Sequence, residues 1–139
     1  MSLFLRLVGL GGHASLQAKS YRLPKAKATV VAISETKVSV EINVTLRLME
    51  DQLDQARTHF DCVGHMKAEV EADVISALHE WASHRNCVAM CRHSRDQLYL
   101  LRDYITKRLK PYGIMLEGFT LHTRCHARHA HCENPSVTI

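Results

Sequence analysis

The sequence has no apolar run long enough to cross a membrane as a helix. Its densest apolar stretch, residues 1–12, holds six Leu, Phe and Val side chains around Arg6, whereas a spanning helix needs about 20 apolar residues. The stretch also lacks a basic n-region and a small-residue cleavage site, so we expect no signal peptide. Residues 1–10 predict a first strand or a partner-docking arm, and a peripheral membrane contact at headgroup depth is the alternative.

Sequence motifs that indicate a particular enzymatic reaction are also missing. Gly9, Gly11 and Gly12 match neither G-x-G-x-x-G nor a loop that ends in GK[ST], so we interpret them as a turn. His79 and His84 are five residues apart, whereas the two-histidine zinc motif of helices requires a spacing of four. Because no nucleophile and base are paired, we predict that the protein is not an enzyme.

Charge and cysteine content indicate which cellular compartment and which classes of partner to expect. Five cysteines cannot all pair within one chain, and a reducing compartment, the cytoplasm, is the expected location. The net charge of +4 is mild. It suits an acidic partner or an anionic membrane surface, whereas a nucleic-acid binder would show a denser basic face.

Residues 37–48 carry the strongest structural signal in the chain. Six apolar residues alternate there with six polar ones, which predicts a long β-strand with one buried face at the even positions. Residues 28–33 are rich in β-branched side chains and predict a strand paired with it in a hairpin. We interpret residues 13–27, which are polar and basic, as a solvated connector.

Helical patterns follow the long strand. Acidic residues open a short helix over residues 51–60, and apolar positions spaced by three or four predict a second helix over residues 63–84. Residues 85–93 show no clear pattern. Ser94 and Gln97 form a capping box that begins a helix over residues 95–110.

Proline and glycine then end this helix, and a closing strand follows. Pro111 and Gly113 predict the stop, and residues 114–122 predict the strand. The apolar parity slips within that strand, which predicts a bulge near Gly118.

Taken in this order, the elements resemble the SPFH (band 7) core of stomatins, prohibitins, flotillins and the HflK/HflC pair. The most specific feature is the sequence Tyr112-Gly113-Ile114, at the turn where an amphipathic helix leads directly into a strand. The resemblance covers residues 27–123. It implies a non-catalytic α+β domain that scaffolds membrane assemblies and works through oligomers, although this chain lacks the family's membrane-spanning segment and long coiled-coil helix.

The end of the chain holds the only cluster of residues with metal-binding chemistry. Six candidate ligands lie within eleven residues: His122, Cys125, His126, His129, His131 and Cys132. Zinc needs about four ligands of this kind. Because the spacing matches no standard finger and arginines lie between the ligands, a basic tail that binds metal only adventitiously is the alternative.

These observations predict three parts and one leading function. We expect an apolar arm and connector over residues 1–26, an SPFH-like domain over residues 27–123 and a Cys/His-rich tail over residues 124–139. The domain should be α+β, a small mostly antiparallel sheet covered on one face by two amphipathic helices. The expected function is a self-associating scaffold or adaptor that acts through protein–protein contacts and needs no cofactor. The alternative is a metal-responsive or nucleic-acid-associated protein that uses the tail.

Overall fold

The sheet is built around one long central strand. The computed structural model describes residues 13–92, 95–125 and 137–139, and its strands are β1 (Ser20–Arg22), β2 (Ala26–Val31), β3 (Lys37–Leu48), β4 (Ile114–Cys125) and β5 (Val137–Thr138). β1 and β2 pair with one edge of β3, β4 pairs with the other edge, and β5 pairs with the outer edge of β4. All of these pairs are antiparallel. The predicted α+β class is therefore confirmed.

Strand β3 separates a buried face from a polar face, as its alternation predicts. All six even-numbered side chains from Val38 to Leu48 are buried. Their odd-numbered neighbours are half-buried or exposed. The predicted hairpin is also present, because Val31 pairs with Lys37 across a 3-10 turn at Ile33–Glu35.

Helices cover the apolar face of the sheet. They are α1 (Leu53–His59), α2 (Val63–Ser83), α3 (Cys87–Arg92) and α4 (Arg95–Leu109). The predicted apolar stripe of α2 is buried, and α2 packs against β2 and α4, while α4 packs against β4. In the part of the chain that the structure describes, no helix has both the length and the apolarity to cross a bilayer.

Two hydrogen bonds join α2 and its C-terminal end to α4. The indole nitrogen of Trp81, whose side chain is fully buried, donates to the carbonyl oxygen of Gln97 at 3.0 Å. The side-chain oxygen of Gln97 accepts from Nε of Arg85. The predicted capping box also involves Ser94, which lies outside the described residues.

The turn between α4 and β4 adopts the predicted conformation. Gly113 ends a 3-10 turn at Lys110–Tyr112 with a left-handed φ of 73°, a conformation that glycine adopts without steric cost. Further along β4, Thr45 pairs with Gly118 and Leu46 pairs with Leu116, so the strand carries one extra residue there. The predicted bulge is confirmed, and it moves the buried positions from even to odd residue numbers.

The interpretation of residues 13–27 as a solvated connector is wrong. This segment contains β1, and Leu16, Tyr21, Leu23 and Ala26 are buried in the core. The apolar residues of this segment are scattered among lysines and arginines without a helical or strand periodicity. Their burial therefore could not be predicted from the sequence pattern.

The closing strand extends beyond its predicted end at His122. β4 continues to Cys125, and Ile139 exchanges backbone hydrogen bonds with Phe119 at 2.8 and 2.9 Å. The predicted arm, residues 1–10, lies outside the described residues, as do residues 126–136.

Candidate protein-docking groove

A groove of about 680 Å³ runs between α4 and the first residues of β4. Three segments of the chain form it: the end of β3 with the acidic turn after it, one side of α4, and the turn that starts β4. Its lining residues are Met49, Asp51, Gln52, Arg102, Asp103, Thr106, Lys110, Gly113, Ile114, Met115 and Leu116. We call this feature the docking groove.

Helix α4 and the first residue after it form one wall, because three of their residues share a face. Arg102, Thr106 and Lys110 are spaced by four, which places them one above another along a helix. The guanidinium of Arg102 crosses to the strand and donates to the carbonyl oxygen of Leu116 at 2.9 Å. This bond fixes the distance between the two walls at one point of the docking groove.

The opposite wall is the outer edge of β4. On this edge, β5 and Ile139 pair only with the stretch from Phe119 to Leu121. Within the described ranges, no strand pairs with the outer edge from Ile114 to Leu116. Apart from the carbonyl oxygen of Leu116, which accepts from Arg102, an edge of this kind offers backbone N–H and C=O groups to an added strand.

The turn at the base of the docking groove is held by two side-chain hydrogen bonds. The hydroxyl of Tyr112 donates to Asp73 at 2.8 Å, and the amide of Gln55 donates to the carbonyl of Pro111 at 2.7 Å. Burial, followed by the bond to Asp73, raises the pKa of Tyr112 to about 12. The hydroxyl is therefore protonated at neutral pH and donates to the carboxylate, which fixes the turn to α2.

The docking groove offers apolar contact and balanced charge. Met49 and Met115 are 39% and 46% exposed, and methionine adapts its shape to different ligands. The acidic side chains of Asp51 and Asp103 are matched by those of Arg102 and Lys110. These properties suit an extended, mainly apolar peptide.

Two of the six predicted metal ligands lie on opposite faces of the sheet. His122 is half-buried on the polar face, where it pairs in register with Glu41, whereas Cys125 is buried on the helix side opposite Val38. The other four, His126, His129, His131 and Cys132, lie outside the described residues. No group of three or more potential ligands occurs in the ranges that the structure covers, and a metal site in the tail stays a prediction.

Among the other histidines and cysteines, those whose side chains the structure describes do not line the docking groove. His79 and His84 are exposed on α2 and at its C-terminal end. Cys87 is buried in the core, which agrees with a structural role for it. The side chains of Cys91 and His93 lie outside the described residues.

Sequence patterns did not reveal the docking groove, because its walls come from segments far apart in the chain. Met115 is the one available signal, since a large apolar residue stands at an exposed position of β4, before the bulge. Comparison with protein-family models and with curated proteins found no match to this chain.

Proposed function

We propose that the chain is a non-enzymatic scaffold or adaptor module of SPFH type that acts through protein–protein contacts. The order of its elements and the Tyr112-Gly113-Ile114 turn support the family proposal. A cytoplasmic location, with peripheral membrane contact through residues 1–10, is part of the same proposal. It rests on the cysteine content and on the apolar character of that segment.

The docking groove is the observation that carries this function. An open strand edge beside a helix binds an extended segment by strand addition, with side-chain pockets supplying specificity. The occupant we propose is residues 1–10 of a second copy, which are apolar apart from Ser2 and Arg6. Arg6 of the bound segment could pair with the acidic side chains of Asp51 and Asp103, which line the docking groove.

A labelled peptide tests this proposal directly. A fluorescein-labelled peptide of residues 1–10 is titrated with the full-length protein, and its anisotropy is measured. We expect saturable binding that Thr106→Arg weakens by roughly tenfold or more, because a long cationic side chain then fills part of the groove and repels Arg6 of the peptide. Thr106 is exposed on α4, so the substitution should leave the melting temperature unchanged.

Thr58→Arg is the matched control. Thr58 is also exposed on a helix, but it lies on α1 outside the docking groove. Equal affinity of the peptide for the Thr106→Arg and Thr58→Arg variants would exclude the docking groove as the binding site, and absence of saturable binding would exclude residues 1–10 as its occupant.

A further inference from the structure

Strand β5 already occupies part of the β4 edge that borders the docking groove. Ile139, the residue after β5, exchanges two backbone hydrogen bonds with Phe119, at 2.8 and 2.9 Å. β5 itself pairs with Thr120 and Leu121. Because the two strands are antiparallel, β5 runs toward the docking groove, and Ile139 is its nearest residue to it. This edge of the sheet therefore accepts an added strand within the chain itself.

Gly118 leaves room for the added strand. A Cβ at position 118 would lie 2.9 Å from the backbone oxygen of Ile139, closer than real Cβ atoms come to other atoms. Apart from its neighbours in the chain, no other residue that the structure describes comes within 4 Å of that Cβ. Gly118 does not have a positive φ, so its own backbone conformation does not require glycine. The missing side chain at this position therefore serves the close approach of a strand to the edge.

The part of the edge that β5 leaves open is short compared with the segment proposed to dock there. Residues 114–118 precede the stretch paired with β5, and five residues of strand span about 17 Å. Pairing cannot continue in the other direction, because the chain turns at Gly113 with a left-handed φ of 73°. Residues 1–10 extend over about 33 Å as a strand. A segment of that length gains further backbone pairs only by taking the place of β5.

The contacts that hold β5 are local, whereas β4 is anchored independently. Ile139 is half-buried and packs against the core. Phe119 and Leu121 are buried within the core, and β3 pairs with β4 along the same stretch. β4 therefore keeps its position when β5 leaves. Local opening of so short a strand requires much less free energy than unfolding of the domain.

We propose that β5 is an internal ligand of the β4 edge and that a segment docking in the groove displaces it. This inference rests on the proposed function and adds the regulation of its site. While β5 is paired, the apparent affinity for the segment falls in proportion to the fraction of molecules whose edge is open. Eleven residues separate Cys125 from Val137 in the sequence, and a strand tethered this closely competes at a high effective concentration.

Proline substitution in the full-length protein tests the proposal. Ile139→Pro removes the N–H that donates to Phe119. Thr138→Pro is the matched control, because hydrogen bonding alternates along antiparallel strands and the N–H of Thr138 points away from β4. An edge strand tolerates proline at such a position. The labelled peptide of residues 1–10 is titrated with each protein, and melting curves establish that each variant folds.

We expect Ile139→Pro to bind the peptide roughly three times more tightly than the wild type, or better, and Thr138→Pro to bind it like the wild type. Adding Gly118→Ala to Ile139→Pro should remove the gain, because the new Cβ lies where the incoming strand must pass.

Hydrogen exchange measured by NMR reports the displacement directly. When the wild type is saturated with peptide, the Ile139 amide should exchange faster, because it loses its acceptor on Phe119. The Phe119 amide should stay protected, because the incoming strand replaces Ile139 as its acceptor.

Two results would overturn the inference and leave the proposed function standing. One is equal affinity of the peptide for the wild type and Ile139→Pro, and the other is an Ile139 amide that stays protected in the saturated complex. Absence of saturable binding to every variant would exclude both the proposed occupant and its competition with β5. Binding that Ile139→Pro strengthens and Thr106→Arg leaves unchanged would support the competition at the edge and exclude the groove.

Discussion

The two faces of β3 differ sharply in burial and polarity. On the helix side, every side chain from Val38 to Leu48 is at most 2% exposed and apolar. On the other side, the same strand presents lysine, serine, glutamate, asparagine, threonine and arginine. The buried face therefore supplies most of this strand's favourable contribution to the free energy of folding, because apolar burial is the main favourable term. The other face is polar and half-buried or exposed.

The largest expected effect comes from moving a charge between these faces. Val44→Asp would bury a carboxylate among apolar side chains and should cost several kcal/mol, a large part of the stability of a small domain. Thr45→Asp places the same group on the polar face, beside Arg22 and Arg47. Thermal melting should therefore show no folded transition for Val44→Asp and a nearly normal one for Thr45→Asp.

Each variant is a control for the other, since both introduce an aspartate into the same strand and differ only in the face on which it lies. A normal melting curve for Val44→Asp together with an unfolded Thr45→Asp would mean that the register is displaced by one residue.

A smaller effect should follow at the turn that determines which residues of β4 face the helices. In the Gly113→Ala variant, the new alanine must adopt a left-handed conformation. Its Cβ would lie 3.1 Å from the side-chain oxygen of Gln52. We expect a loss on the order of 1 kcal/mol or more in chemical denaturation. Gly113→Asn should lose less, because asparagine tolerates this conformation better. Equal stability of all three proteins would contradict the account of the turn.

The difference between the faces also explains how much of the fold the sequence reveals. Alternation along β3 and the three- or four-residue spacing of α2 follow directly from burial on one side, so periodicity identifies both elements. Tyr21 and Leu23 are also buried, yet they belong to a three-residue strand and the loop after it. Elements of this length are too short for a period to emerge from the surrounding basic residues.

The candidate sites were less predictable than the fold, for a different reason. The docking groove depends on Met49, Thr106 and Met115 coming together from three segments, and no spacing in the sequence encodes that meeting. In contrast, Gly113 acts through its own backbone, so a local signal was sufficient to predict it.

The smallest expected effect concerns an ion pair on the polar face. A hydrogen bond from Lys25, together with the charges of Lys25 and Lys27, lowers the pKa of Glu41 below its usual 4.5, although partial burial opposes the shift. A pKa that is lower in the folded state stabilises the fold above pH 4.5, and this contribution disappears as the pH falls through the lowered value. Glu41→Gln should therefore melt slightly below the wild type at neutral pH and match it in acid.

Glu117→Gln is the matched control, since Glu117 lies on the same face in a longer contact, 3.9 Å from Arg47. Glu117→Gln should change the melting temperature less than Glu41→Gln at neutral pH. Because exposed ion pairs contribute little, both effects should be far smaller than that of Val44→Asp. A loss for Glu41→Gln comparable to that of Gly113→Ala would contradict this, and would show that the polar face contributes substantially to folding.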